Sequence, residues 1–399
     1  MRVVTTDALV ERLARTTMPN PRIVTSGNAA APWSLLKSAD AALETFRLFM
    51  LNAPPGIPSR DGVTHETPFV GEGMRGSRSL SYFPSRLSLV PQMLKTVTKP
   101  DVVFLNASLP SSGRVSLGVE VNVLPAAIEA ARARGALVVA QLNASMPRTF
   151  GDSDVALDDI DLAIEVDEPL LEHTTTAAGP RHEAIGVHVA ALVTDGATLQ
   201  AGIGAIPDLV LSTLRTRKGL AIFSEMVSDS VMCLQRAGAL VPGPLTTSFA
   251  IGSAELYEWL DRNGNVVFRR TEVTNNPRLI ASQTSMTSIN AAIEVDLFAQ
   301  ANASYVGGEV YSGFGGQSDF VEGALHAVGG QALIALPSWH EKTGHSTIVP
   351  RLGVPATSFQ PSFVITERGA AAIWGRSVTQ QREALIRIAD SRASEVLAR

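Results

Sequence analysis

Short apolar runs alternate with amphipathic stretches from one end of the chain to the other. This alternation restricts the fold more than any other feature. RIVTSG (22–27), DVVFLNAS (101–108), ALVVAQLN (136–143), LAIEV (162–166), GLAIFSE (219–225), VVFRR (266–270), QALIALPS (331–338) and SFVITERG (362–369) read as strands. Pro125 to Arg134, Pro207 to Arg217 and Thr379 to Ala389 read as helices. Repeated strand–helix succession predicts α/β architecture with largely parallel sheets. Sheets of that kind bind ligands at the carboxyl ends of their strands. Several runs end there in a polar side chain: Asn106, Asn143, Glu225 and Glu367.

A chain of 399 residues, 45% of them hydrophobic, has enough apolar material for two or three domains. The stretch LLEHTTTAAGPRHEAI near 170–186 separates two series of alternating elements, so the expected division is 1–185 and 186–399. The formal net charge is −5 and no dense Lys/Arg run occurs, which argues against unspecific nucleic-acid binding. The single cysteine, Cys233, cannot form an internal disulfide or a zinc site of Cys type. Its apolar setting, VMCLQRAG, reads as a buried structural thiol and fits a reducing compartment. No stretch approaches the roughly 20 apolar residues of a membrane-spanning helix. The N-terminal MRVVTTDALVERLA lacks the apolar core of a signal peptide. The expectation is a soluble cytoplasmic protein with no membrane partner.

Two glycine clusters stand out beyond the long loop FVGEGMRGSRSLSYFP (69–84). The first is ATLQAGIGAIPDLVLSTLRTRKGL (197–220). A strand ends at Gln200, Gly202 and Gly204 make a tight turn, and Pro207 and Asp208 suit the start of a helix. Gly219 ends that helix, and the next strand delivers Ser224 and Glu225. Three readings fit this order. A dinucleotide-binding oxidoreductase has a glycine turn followed about 20 residues later by an acid for the ribose. Against it, Pro207 stands where the third glycine belongs. In a purely structural reading Glu225 caps the following helix. In the third, Glu225 is a catalytic carboxylate facing a ligand held by the loop. The second cluster, YSGFGGQSDFVEG (311–323), has the backbone freedom to approach a ligand closely and to offer N–H groups to an oxyanion.

Read together, the segments resemble the acetyl-CoA hydrolase/transferase family of glutamate-dependent CoA-transferases, which includes 4-hydroxybutyrate and butyrate CoA-transferases. The stretches that carry the resemblance are SLGVEVNV (116–123), NASMPRTFGDS (143–153), DGATLQAGIGAIPDLV (195–210), SEMVSD (224–229), TNNPRLIA (274–281), SINAAIEVDL (288–297), SGFGGQSDFVEGA (312–324), HSTIVP (345–350) and FVITERGAA (363–371). The resemblance implies two open α/β domains with the active site between them. It implies Glu225 as nucleophile, Asn275 as a polar active-site residue and Gly316 as an oxyanion-hole glycine. It implies CoA contacts from Gly202, Ile203, Gly204, Ala205 and Ile206, from Ser312, and from Lys342. Two positions depart from the family pattern: Phe223 stands where His or Tyr is usual, and Ser230 where Gly is frequent.

The expected chemistry is transfer of CoA between a short-chain acyl-CoA and a free carboxylate through a glutamyl-CoA thioester. Hydrolysis at the same site is the alternative with water as acceptor. Coenzyme A acts as substrate, with no permanently bound cofactor and no metal. A free glutamate has a pKa of about 4.3, so Glu225 is expected to be ionised at neutral pH, with no base needed, unless it is buried without a partner. His182, His188, His326, His340 and His345 show no ligand spacing, though His345 is a weak candidate on the CoA side, and Lys342, Arg351 and Arg368 are the candidate phosphate partners. The family further implies a homodimer or homotetramer.

Overall fold

The computed structural model describes residues 1–16, 18–173, 179–202, 204–356 and 359–397. The chain divides into two compact units, Met1–His173 with Thr246–Val273, and Thr174–Leu245 with Thr274–Arg399. A single cut at 185/186 lacks the excursion Thr246–Val273, which returns to the first unit. Packing holds it there. Val266–Phe268 pairs in parallel with Phe150–Gly151, and Glu120 forms a β-bridge with Phe249. Gly151 permits that pairing, since a Cβ on it would lie 2.3 Å from the Phe268 carbonyl oxygen.

The first unit is built on eight parallel strands: β1 (Arg2–Val3), β2 (Arg22–Thr25), β3 (Phe46–Met50), β4 (Val63–Thr67), β5 (Leu80–Tyr82), β6 (Val102–Ala107), β7 (Leu137–Asn143) and β8 (Leu162–Val166). Their spatial order is β1-β8-β7-β6-β2-β3-β4-β5. The central strands read as unbroken apolar runs because helices cover both faces of a parallel sheet. All residues of β2 and β6 are buried. The order reverses between β2 and β6, and such a switch point leaves a crevice at the strand ends.

The second unit repeats the plan with β9 (Thr198–Ala201), β10 (Ala221–Ile222), β11 (Met286–Ala291), β12 (Gln331–Ala335), β13 (Phe363–Thr366) and β14 (Gly369–Ala372). The order is β10-β9-β11-β12-β13-β14, parallel except for the terminal β13–β14 hairpin. Here the switch point lies between β9 and β11. The helix expected from Pro207 to Arg217 runs as an α-helix over Ala205–Thr213 and tightens into a 3-10 turn over Leu214–Thr216. Cys233 is partly exposed rather than buried, because its helix Asp229–Arg236 turns Val231, Met232 and Leu234 inward. Among the described residues no helix is long and apolar enough to cross a membrane.

Candidate active site

Glu225 lies just beyond β10, at the carboxyl edge of the second unit's sheet. The two residues before it fix its position. Phe223 donates its backbone N–H to Leu199 at 3.1 Å, and the Ser224 hydroxyl reaches the Ala201 carbonyl at 3.4 Å. Phe223 is 8% exposed and packs with Ile280, Met286, Phe320, Val321 and Ala324. That apolar setting accounts for an aromatic hydrocarbon where the family usually has a polar ring.

Two helices bring partners to the carboxylate. Pro277–Ala281 and Gln317–His326 approach closely because Gly323 has no side chain; a Cβ there would sit 2.5 Å from Ile280 Cβ. The residues leading into these helices, Asn275 and Gly316, therefore converge on Glu225. Asn275 is fully buried. Its Oδ1 accepts from the Thr274 hydroxyl at 2.8 Å, which leaves Nδ2 to donate to Glu225 Oε2 at 2.6 Å. Gly316 is closer still: a Cβ on it would come within 1.7 Å of Glu225 Oε2 and 2.3 Å of Asn275 Nδ2. No side chain fits there without displacing the carboxylate.

Burial pushes the Glu225 pKa up to about 7; the Asn275 hydrogen bond opposes the rise and the nearby Asp319 carboxylate adds to it. Burial, the condition set on an ionised glutamate at neutral pH, is thus the one that governs here. Desolvation disfavours the charge, and one amide compensates only in part. The capping alternative also fails, because Ser228 occupies the N-cap of the helix Asp229–Arg236.

The glycine loop lies at the switch point. Ile203 is outside the described residues. The Gly202 N–H donates to the Ile289 carbonyl at 2.9 Å, and a Cβ on Gly202 would crowd Asn290 Oδ1 at 3.1 Å. Gly204 has φ +127°, a conformation that favours glycine, and serves as N-cap of Ala205–Thr213. Ile206 is turned inward at 8% exposure. Beneath the loop Gln200, Ser288 and Asn290 form a closed, buried amide–hydroxyl network. Sequence reading passed over that network because its members belong to different strands. Asp208 ties the loop helix to the segment after Glu225: its Oδ1 accepts from Ser228 Oγ at 2.5 Å and its carbonyl from Ser230 Oγ at 3.1 Å. Ser230, the second departure from the family pattern, thereby has a structural use.

The remaining candidates have other contacts or are exposed. The Ser312 hydroxyl donates to the Ala303 carbonyl at 2.7 Å. Lys342 is exposed in the turn joining Trp339–His340 to His345–Ser346. Arg351 stacks over Phe298, and Arg368 pairs with Asp390 at 3.4 Å. Among the described residues no group of three His, Cys, Asp or Glu side chains is placed to hold a metal ion.

The acetyl-CoA hydrolase/transferase N-terminal domain model matches residues 61–172, and the corresponding C-terminal domain model matches 252–399. The chain is 36% identical over 384 residues to a 4-hydroxybutyrate coenzyme A transferase of Clostridium kluyveri, covering 91% of this chain and 89% of that one. It is 34% identical over 390 residues to a succinyl-CoA:acetate/propanoyl-CoA:succinate CoA transferase of Fasciola hepatica, with coverage of 91% and 80%. The crystal structure of RipA from Yersinia pestis superposes with a TM-score of 0.91 at 28% identity, covering 100% of this chain and 96% of that one. Both domain models match in chain order, and the similarity runs nearly end to end: the chain belongs to the acetyl-CoA hydrolase/transferase family.

Proposed function

We propose that the protein transfers CoA between a short-chain acyl-CoA and a free carboxylate, with Glu225 as the covalent nucleophile. The observation that carries this reading is the close convergence of Asn275 and Gly316 on one Glu225 oxygen. Glu225 attacks the thioester carbonyl, and the C–S bond breaks to give an acyl-glutamyl anhydride and CoA thiolate. The thiolate then attacks the glutamyl carbonyl, and the first acid leaves as carboxylate. The resulting glutamyl-CoA thioester is attacked by the incoming carboxylate, and the steps reverse. No redox partner is needed, and no base is needed once Glu225 is ionised.

Each step passes through a tetrahedral oxyanion. Asn275 Nδ2 already donates to Glu225 Oε2, so it serves intermediates centred on the glutamyl carbon. The Gly316 N–H, at the start of the helix Gln317–His326, is the second donor in this mechanism. Loss of one such donor typically lowers the rate about 10²–10³-fold. The loop Gly202–Ile206, Ser312 and Lys342 are assigned to CoA. The CoA arm supplies remote binding energy that can drive the covalent steps. Transfer is favoured over hydrolysis because the two relatives that match nine-tenths of the chain, at 91% coverage, are named transferases. A homodimer or homotetramer, which the family resemblance implies, belongs to the same proposal.

The test is the intact mass after brief incubation with acetyl-CoA and no acceptor. A gain equal to CoA less one water, absent in Glu225→Ala, supports the glutamyl thioester. Acetyl-CoA consumed by Glu225→Ala at the wild-type rate would overturn the assignment. CoA release that needs no acceptor would make the enzyme a hydrolase.

A further inference from the structure

A second buried glutamate lies in the first unit, and the mechanism above does not use it. Glu120 is 2% exposed and accepts from two amides. Asn28 Nδ2 donates to its Oε2 at 2.7 Å, and Asn122 Nδ2 to its Oε1 at 3.3 Å. The chain of bonds continues at both ends. Asn52 Nδ2 donates to Asn28 Oδ1 at 2.7 Å, and the Thr271 hydroxyl donates to Asn122 Oδ1 at 2.7 Å. Asn28, Asn52 and Asn122 all have left-handed backbones, with φ of 48°, 44° and 40°. Asparagine tolerates that region better than most residues, yet such conformations cluster where structure serves function.

The location is equally specific. Asn28 follows β2, at the point where the strand order of the first sheet reverses, and Asn52 follows the adjacent β3. Glycines pin both turns. A Cβ on Gly27 would lie 1.9 Å from the Leu51 carbonyl oxygen, and one on Gly71 would lie 2.2 Å from the Ala53 nitrogen. In open α/β sheets this edge is where ligands bind.

The direction of the bonds depends on one proton. An ionised Glu120 accepts from both amides, so Asn28 turns its oxygen to Asn52 and Asn52 directs its NH₂ inward. A protonated Oε2 must instead donate. Asn28 then presents its oxygen to Glu120 and its NH₂ to Asn52, and Asn52 turns its NH₂ outward. The opposite end resists such a reversal. Thr271 is fully buried, and its hydroxyl would lose its acceptor, at about 1–3 kcal/mol. Asn52 is only partly buried, so reversal there ends at the surface.

We propose that Glu120, Asn28 and Asn52 form a proton-linked contact for a carboxylate, in which protonation of Glu120 turns the Asn52 NH₂ outward to receive it. The choice of a carboxylate rests on the transferase reading, which requires a free acid as substrate. A carboxylate only accepts hydrogen bonds, so it favours the outward-donating state. By reciprocity its binding raises the proton affinity of Glu120. Independently of this geometry, burial pushes the Glu120 pKa up to about 7, and only the two amides oppose it. The facing elements add no charge to that balance. The turn after β2 supplies Asn28, the bridge supplies Phe249, and beside Thr271 the Arg270 guanidinium pairs with both Glu272 and Glu129.

The experiment follows isotope-labelled asparagine side-chain amides of the full-length protein by NMR, from about pH 5 to about pH 9, with and without acetate. Asn28 and Asn52 should titrate together with one midpoint near neutrality, and acetate should raise that midpoint by about half a unit, a roughly threefold preference. Glu120→Gln should abolish the titration, and Glu225→Ala should leave it in place. In Asn52→Ala, Asn28 should still titrate but acetate should no longer move the midpoint. Amides that do not titrate in the wild type overturn the proposal, as does an acetate shift that survives Asn52→Ala. Should Glu120→Gln fail to fold, the wild type and Asn52→Ala decide. No acyl-CoA is present, so this result stands apart from the covalent-adduct test.

Discussion

Glu120 in the first unit and Glu225 in the second share much of their chemistry. Each has its pKa pushed to about 7 chiefly by burial. Each accepts a hydrogen bond from an asparagine NH₂ far away in sequence, at separations of 92 and 50 residues. The surroundings differ. Both Glu120 oxygens accept from amides. At Glu225 the Asn275 amide donates to Oε2, the Gly316 backbone stands beside it, and Asp319 adds a like charge. Desolvation is common to both glutamates, so the difference lies in their neighbours.

The largest effect expected from this contrast is on turnover. Glu225→Gln should lower kcat on the order of 10⁴-fold or more, as for other nucleophiles acting within a unit. Glu120→Gln should change kcat/KM by about tenfold at most, mainly through the KM of the acid, in steady-state assays with both substrates varied. Equal losses would break the comparison.

Glycine substitutions sharpen it. Gly316→Ala drives a Cβ into side-chain ends that can swing away, so it should lower activity about 10²–10³-fold with little change in Tm. Gly27→Ala drives a Cβ into the Leu51 backbone, so it should destabilise by about 1–3 kcal/mol. Thermal denaturation beside kinetics separates the two.

The two raised pKa values also predict pH dependence. In the proposed mechanism the nucleophile is the carboxylate, so kcat/KM should rise about tenfold per pH unit below the Glu225 midpoint and level off above about 7. Asp319→Asn should move that midpoint down. For stability the sign is opposite. A raised folded-state pKa means that the folded state binds more protons between the two midpoints. The stabilising contribution is full below the unfolded value near 4.3 and is lost as pH rises through about 7, by roughly 4 kcal/mol per group at most. Urea midpoints across that range should fall with pH, and less steeply in Glu120→Gln. The smallest effect is expected at Ser230→Ala, about 1 kcal/mol, for one lost hydroxyl bond to Asp208.

Several of these features were legible in the chain itself. Apolar runs marked β6, β7 and β8 to within a residue or two, because the strands of a parallel sheet read as near-continuous apolar runs. The run 219–225 was less faithful: only Ala221–Ile222 pairs as a strand, since the chain turns away to present Glu225. The Gly202–Gly204 turn and the glycines before Gln317 were visible because few other residues allow such backbone. The Asn28–Asn52–Glu120 chain gave no signal. Its members lie in separate loops, and isolated asparagines in a sequence look like ordinary turn residues.

The sequence by itself determined the α/β alternation, the glycine turns and the motif set that identifies the family, because these depend on local backbone preference and on residue order. Tertiary structure alone decided that Thr246–Val273 returns to the first unit and that Gly323 lets two helices draw Asn275 and Gly316 onto Glu225. It also decided that two glutamates titrate near neutrality rather than near 4.3. A carboxylate's charge depends on the water it loses and the donors it gains, and both come from residues distant in the chain.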